Sequence, residues 1–245
     1  MRDLNDYQNT YDQSPFEDTM VAIRRDFVLS FLEKYQAKRI VEIGCGNEPL
    51  FLYYTDYEHF TVIEPTLKFY ENALQLAKKN PTITLHNDYT ENCTASLKAA
   101  NPDVILISGL LHEIPDPASV LKAVFEVCSS NTLVHINVPN ANSFHRILAL
   151  EMGLINDLKA ISPNQKMLQQ NHTFDIESLE KLCQSAGFQT VEAGSYFIKP
   201  FTHRQMQTLQ EHALFGEKIT QGFVKMEKYM KGLGAEIFIN VKKNG

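Results

Sequence analysis

Short β-branched runs alternate with helix-patterned stretches along most of this chain, and few folds accept that rhythm. Arg39-Ile40-Val41-Glu42-Ile43 is an apolar run closed by Gly44-Cys45-Gly46. Residues 61–65 form a second run that stops at Pro65, and residues 82–85 a third. Residues 103–108 are almost continuously apolar, as expected of a strand covered on both faces. Residues 132–138 make a fifth run. Between them, residues 67–79 carry Phe69, Ala73, Leu74 and Ala77 at helical spacing, and residues 118–127 suit a helix entered from Pro115-Asp116-Pro117. Strands alternating with helices imply a parallel sheet covered on both sides.

The flanks complete this reading. Residues 18–35 predict a helix with Met20, Val21, Phe27, Val28, Phe31 and Leu32 on one side and Arg24, Arg25, Glu33 and Lys34 on the other. A short helix is expected after Asn47 and Pro49. Residues 139–173 break the rhythm and read as an insertion over the active face, with a helical piece at 144–152. Asp175 is a plausible N-cap for a helix that Gly187 ends. Residues 190–191 with 195–198 predict a sixth strand, residues 202–231 helix, and residues 235–241 a last strand. The expected fold class is α/β: a doubly wound sheet of seven strands, mostly parallel, with an antiparallel last hairpin. Residues 1–38 would form a cap segment and helix, and residues 39–245 one ligand-binding domain.

Composition narrows the function classes. With 245 residues, 44% of them hydrophobic, the chain can bury a core covering roughly 70% or more of its unfolded surface. A net charge of -6 argues against nucleic acid as a partner, because phosphate binding needs clustered Lys and Arg. The four cysteines have no short spacing, so reduced thiols are expected rather than a zinc or dithiol site. The longest apolar run, residues 104–111, falls far short of the ~20 residues that span a bilayer. No membrane association and a cytoplasmic location are therefore expected.

The chemistry concentrates where the first strand ends. Gly44 and Gly46 let the chain turn sharply and let a ligand approach the backbone. Alone, such a pair marks only a turn. Glu64 ends the next strand twenty residues beyond Gly44, where a carboxylate in a βαβ unit meets a ribose. A dinucleotide site would want a third small residue where Pro49 stands. S-adenosylmethionine has no pyrophosphate and needs only the open glycine turn. Glu42 is placed to order the loop or meet an ammonium.

The strings VEIGCG, TVIEP, HND and PDVILISGLLHEIPDP resemble the class I S-adenosylmethionine-dependent methyltransferases from about residue 39 to 139. The resemblance implies a Rossmann-like methyltransferase sheet with S-adenosyl-L-methionine as cofactor. It places Gly44 and Gly46 at the methionine part, Glu64 at the ribose, Asp88 with Asn87 at the adenine, and Ser108 and Gly109 beside the sulfonium. Glu48 stands where the family often has a third glycine. The cap segment, with Tyr7, Tyr11 and Phe16, would close over the cofactor, and Arg24 or Arg25 would hold its carboxylate. Further strings, LLHEIPDP, INVPNANSFHRILALEMGLI, NHTFDIESLEKLCQSAGF and YFIKPFTHRQM, are similar to methyltransferases of bacterial surface-polysaccharide pathways.

A hydroxyl acceptor needs a base, and His112 follows the fourth strand at the carboxyl edge, where ligands bind in such sheets. Glu113 beside it would cap, orient or bind. Arg146 offers a fork for a phosphate or carboxylate, with His145 adjacent. Asn137, Asn140, His172, Lys199 and His203 complete the candidate acceptor residues. No HExxH or tight His/Asp cluster is present, so no metal is expected. Cys45 reads as a small residue packed in a bend. The expected partner is a small-molecule acceptor, a sugar or a nucleotide- or phosphate-linked intermediate of a surface glycan. N-methylation, a nicotinamide-dependent oxidoreductase and a non-catalytic binding module remain the alternatives.

Overall fold

The computed structural model describes residues 16–161, 165–166 and 169–244. Tyr7 and Tyr11, and parts of the 139–173 insertion, lie outside the described residues. In chain order the strands are β1 (Arg39–Ile43), β2 (His59–Ile63), β3 (Ile83–His86), β4 (Val104–Ser108), β5 (Leu133–Pro139), β6 (Phe188–Tyr196) and β7 (Glu236–Lys243). The helices are α1 (Glu17–Tyr35), α2 (Leu67–Ala77), α3 (Thr94–Ala100), α4 (Pro117–Val127), α5 (Phe144–Glu151), α6 (Ile176–Ser185), α7 (His203–Glu211) and α8 (Glu217–Lys225). One sheet runs β3-β2-β1-β4-β5-β7-β6, parallel except where β7 meets β5 and β6. The expected fold class holds.

Each face of the sheet is buried under helices. On one side Val120, Leu121 and Val124 of α4 and Leu179 and Cys183 of α6 pack on Ile105, Ile136 and Ile239. On the other, Val28, Phe31 and Leu32 of α1 and Ala73 and Ala77 of α2 pack on Ile40, Phe60 and Leu106. Burial of such side chains stabilises the fold by about 1.5–3 kcal/mol each. Two-sided burial is why the central strands read as continuous apolar runs rather than alternating ones. α4 starts where Asp116 accepts the Ser119 amide at 3.1 Å behind Pro117, and α6 starts on an Asp175–Ser178 capping box.

Several local expectations need correction. β2 begins two residues earlier than its pattern suggests, so Glu64 and Pro65 stand just beyond it. The short helix expected after Pro49 is a single 3₁₀ turn, Leu50–Leu52. It goes no further because Tyr54 turns inward, its hydroxyl donating to the Ala37 carbonyl at 3.1 Å. β6 runs Phe188–Tyr196 with a bulge between Thr190 and Glu192, so Phe197 and Ile198 lie beyond its end. Residues 202–231 split at Gly216, the N-cap of α8.

Register brings the functional segments to one edge. Ile43 lies opposite Ile63, Ser108 opposite Asn137, Pro139 opposite Glu236, and Glu236 opposite Tyr196. The carboxyl ends of the parallel strands, the start of β7 and the end of β6 therefore meet at the same rim. Gly234 allows the last of these approaches: a Cβ there would lie 2.4 Å from the Tyr196 carbonyl oxygen.

Candidate active site

A cavity of about 1560 Å³ opens along this rim. Pockets for one small ligand occupy about 300–1,000 Å³, so there is room for two molecules. At its floor Gly44 and Gly46 have φ of +77° and +56°, and the Gly44 amide donates to the Ile63 carbonyl at 2.8 Å. A Cβ on Gly46 would meet nothing within 4 Å, so the bend is open to a ligand.

Glu64 is only 4% exposed. One carboxylate oxygen accepts the Cys45 amide at 3.1 Å and the other the Thr66 amide at 2.8 Å. Burial raises its pKa, and these amides oppose the rise. The side chain thus ties the glycine bend to the start of α2 while lining the cavity. Glu42 accepts the Leu50 amide at 3.1 Å and orders the loop that follows. Burial, with the Glu64 charge adding to it, pushes the Glu42 carboxyl up to about 8. The Cys45 thiol is buried between these acids and pushed up by burial first, then by Glu42 and Glu64.

The raised Glu42 pKa has a definite sign. The native state holds this proton more tightly than the unfolded chain, whose carboxyl titrates near 4.5. Stability therefore falls as pH rises through that window and levels off above about 8. Glu42→Gln keeps an acceptor for Leu50 and removes the titration. Its stability advantage over the wild type should grow by about 4 kcal/mol between pH 5 and pH 8.5. Paired urea unfolding curves measure this, and a constant gap would refute it.

Two residues expected at the adenine do not line the cavity. Asn87 donates its side-chain amide to the Glu64 carbonyl at 2.9 Å, and Asp88 accepts the Tyr89 amide and the Asn92 side chain. They shape the turn, and Tyr89, Thr90 and Asn92 form the wall instead. Asn137 is also behind the wall. It accepts the Gly109 amide at 3.0 Å, and its Nδ2 donates to His135 Nε2. His135 then donates from Nδ1 to Asn240 Oδ1 at 2.7 Å. Burial holds the His135 pKa down at about 4, so the ring stays neutral. This polar chain fixes Ser108 and Gly109 from inside the sheet.

Arg24 lies over Gly109, where a Cβ would come within 3.4 Å of its guanidinium carbon. It was expected to hold a cofactor carboxylate, but its partner is a carboxylate of the chain. Nε donates to both oxygens of Glu236 at 3.1 and 3.0 Å, and Nη2 donates to the same group. The Tyr196 hydroxyl donates to Glu236 as well, and Glu17 lies 3.7 Å from Nη2. Arg25 pairs with Glu48 at 2.7 Å and covers the Tyr53 ring. Glu17, Tyr196 and Glu236 escaped the sequence reading. The one usable signal was an acid opening the otherwise apolar run AEIFINV.

His112 and Glu113 sit on the turn after β4, both buried, with His112 Nε2 3.7 Å from Glu113 Oε1. The insertion crosses them: the amides of Asn171 and His172 donate to the His112 carbonyl at 2.8 and 3.1 Å. His172 Nε2 lies 3.3 Å from the Pro115 carbonyl. Arg146, read as a phosphate fork, donates from Nε and Nη2 to the Leu158 carbonyl and from Nη2 to that of Ala160. It clamps the insertion. Asn140 donates to the Gly232 and Gly234 carbonyls and accepts the Asn142 amide, holding the loop before β7.

The far end of the cavity gathers His145, Lys199 and His203. Lys199 Nζ lies 2.9 Å from His203 Nδ1, and His203 Nε2 lies 3.8 Å from Glu17. Burial lowers the Lys199 pKa to about 7 against the pull of Glu17 and Glu236. Burial first, then Lys199 and Arg24, holds the His203 pKa down at about 3, and His145 is lowered in the same way. Among the described residues no group of three or more His, Cys, Asp or Glu side chains could hold a metal ion. No described helix is long and apolar enough to cross a membrane.

The family profile described as "Methyltransferase domain" matches residues 20–193. The chain belongs to this methyltransferase family. No curated protein sequence gives a significant match. The methyltransferase is similar to the plantazolicin methyltransferase BamL, solved with a desmethyl substrate analogue and S-adenosylhomocysteine. They share 16% identity over 94% of this chain and 88% of that one, with a TM-score of 0.60. It is also similar to the N-methyltransferase NodS from Bradyrhizobium japonicum WM9, solved with S-adenosylhomocysteine: 12% identity, 96% and 90% coverage, TM-score 0.55. The [4+2]-cyclase SpnF shares the fold at 13% identity, 84% and 74% coverage and a TM-score of 0.51. Both BamL and NodS hold S-adenosylhomocysteine, the demethylated form of S-adenosylmethionine. The residues of this chain fit such a molecule: an open glycine bend, a buried carboxylate beside it and a cavity with room to spare.

Proposed function

We propose that this methyltransferase methylates a hydroxyl of a small polar acceptor, a sugar or a phosphate- or nucleotide-linked sugar intermediate of a surface glycan. The observation that carries this reading is the continuity of the cavity from Gly46 and Glu64, past His112, to Lys199 and His203. Glu64 would hold the cofactor's ribose, and the Gly44–Gly46 bend its methionine part. Bound S-adenosylmethionine supplies a methyl group on an electrophilic sulfonium. His112 takes the acceptor's hydroxyl proton, with Glu113 close enough to steady the imidazolium that results. The strap at Asn171 and His172 is hydrogen-bonded onto this turn through the His112 carbonyl. Orientation inside such an enclosed cavity supplies much of the rate.

An amine acceptor is the second reading, because a neighbour on this fold is named an N-methyltransferase. An amine needs less help from a base. Another neighbour is named a cyclase, so cofactor binding alone does not demonstrate methyl transfer. Methyl-labelled S-adenosylmethionine should therefore be incubated with matched panels of sugars, sugar phosphates, nucleotide sugars and amines. We expect label in a sugar O-methyl group. Label confined to amines would overturn the hydroxyl assignment, and no labelled product from any panel would overturn the acceptor class.

A further inference from the structure

We propose that Lys199, His203 and His145 form an anion-recognition subsite that seats a carboxylate or phosphate of the acceptor. This rests on the methyl-transfer reading and names the acceptor's chemistry. The sequence had placed such a role on Arg146, but that guanidinium is committed to the carbonyls of Leu158 and Ala160.

Three observations converge on the subsite. Lys199 is 2% exposed yet lines the cavity, and among the described residues its Nζ makes one hydrogen bond, to His203 Nδ1 at 2.9 Å. An ammonium has three donors, and a buried cation with donors to spare calls for an acceptor. His145 lines the same end, and its Nδ1 is buried with no hydrogen-bond partner among the described residues. Thr202, His203 and Arg204, at the start of the nine-residue helix α7, line it too. The Thr202–Gln205 capping box occupies the Gln205 amide, while those of His203 and Arg204 precede the first intrahelical bonds, at the positive end of the helix.

Two carboxylates lie close by, and neither fills the subsite. Glu236 is held by Arg24 and Tyr196, and Glu17 lies between Arg24 and His203. With both histidines neutral, Arg24 and Lys199 balance Glu17 and Glu236. An incoming anion then favours the charged forms of Lys199, His203 and His145, and its binding draws in protons. Glu17 from α1 and Glu236 from β7 act on Lys199, Arg24 from α1 acts on His203 of α7, and Arg146 acts on His145, both of α5. Lys199 is the one that titrates near neutrality, so affinity should be about tenfold weaker at pH 8 than at pH 6.

The test uses the full chain saturated with S-adenosylhomocysteine and two probes whose charge is constant over this range. Inorganic sulfate represents the phosphate source and acetate the carboxylate source. Calorimetry should find one saturable site for at least one probe, with proton uptake and the stated pH trend. Imidazole resonances of His145 and His203 should shift in the same titration. Lys199→Met and His145→Phe should each weaken the probe at least tenfold while changing S-adenosylhomocysteine affinity less than twofold. The imidazole shifts are read in the wild type, so they decide even if a variant fails to fold. Saturating sulfate and acetate that leave both imidazoles unmoved overturn the subsite, and intact S-adenosylhomocysteine binding then leaves the methyl-transfer reading standing. Failure of the wild type to bind S-adenosylhomocysteine overturns both.

Discussion

Glu64→Ala should weaken S-adenosylhomocysteine binding at least 100-fold and lower the stability of the ligand-free protein by about 2 kcal/mol. Both effects come from one carboxylate. In the free protein it accepts the amides of Cys45 and Thr66 in a buried setting. Alanine leaves both amides without an acceptor, at a cost of about 1–3 kcal/mol each, reduced where water enters the space left behind. In the complex the same oxygens would take the ribose hydroxyls. A 100-fold loss corresponds to about 2.7 kcal/mol, the size expected for one or two hydrogen bonds to a charged group. Glu64→Gln retains one acceptor oxygen and should fall between the two. Calorimetric titration gives the affinities and urea unfolding the stabilities. Binding by Glu64→Ala within threefold of wild type would mean that the cofactor is gripped elsewhere.

The second large effect concerns His112. With a hydroxyl acceptor, His112→Ala should lower kcat by about 10² to 10⁴, the range for loss of a general base. S-adenosylhomocysteine affinity should stay within about twofold, because the glycine bend and Glu64 belong to other segments. Full turnover in His112→Ala removes the base assignment. A loss below about fivefold would point instead to an acceptor that sheds its proton unaided, as an amine does.

Much of the frame was legible because its signals are local. The β-branched run ending in Gly44-Cys45-Gly46, the acid twenty residues on, and the apolar run of β4 each follow from short-range chemistry. The element order therefore follows from pattern alone, and Glu64 lands beside the bend as its spacing implies. What failed depends on partners far away in the chain. Arg146 looks like an anion fork, but a sequence does not reveal that the Leu158 and Ala160 carbonyls need donors. Arg24 looks available until β7 brings Glu236 to it across more than two hundred residues. Asn137 reads as a polar residue near a strand end, yet its partners, Ser108 and His135, lie within the sheet. Asn87 and Asp88 read as ligand contacts, yet turn hydrogen bonds engage both side chains and neither lines the cavity.

The position of β7 has a consequence for how the molecule is made. It is the last of the seven strands in chain order, yet it lies in the sheet interior, zipped to β5 on one side and β6 on the other. While the chain emerges from the ribosome, both neighbours present open ladders until β7 arrives. Such edges are templates for stray pairing, and closure over this sequence distance is slow. The same segment carries Glu236 to Arg24 above Gly109, so the pocket cannot take its final form until β7 is in place.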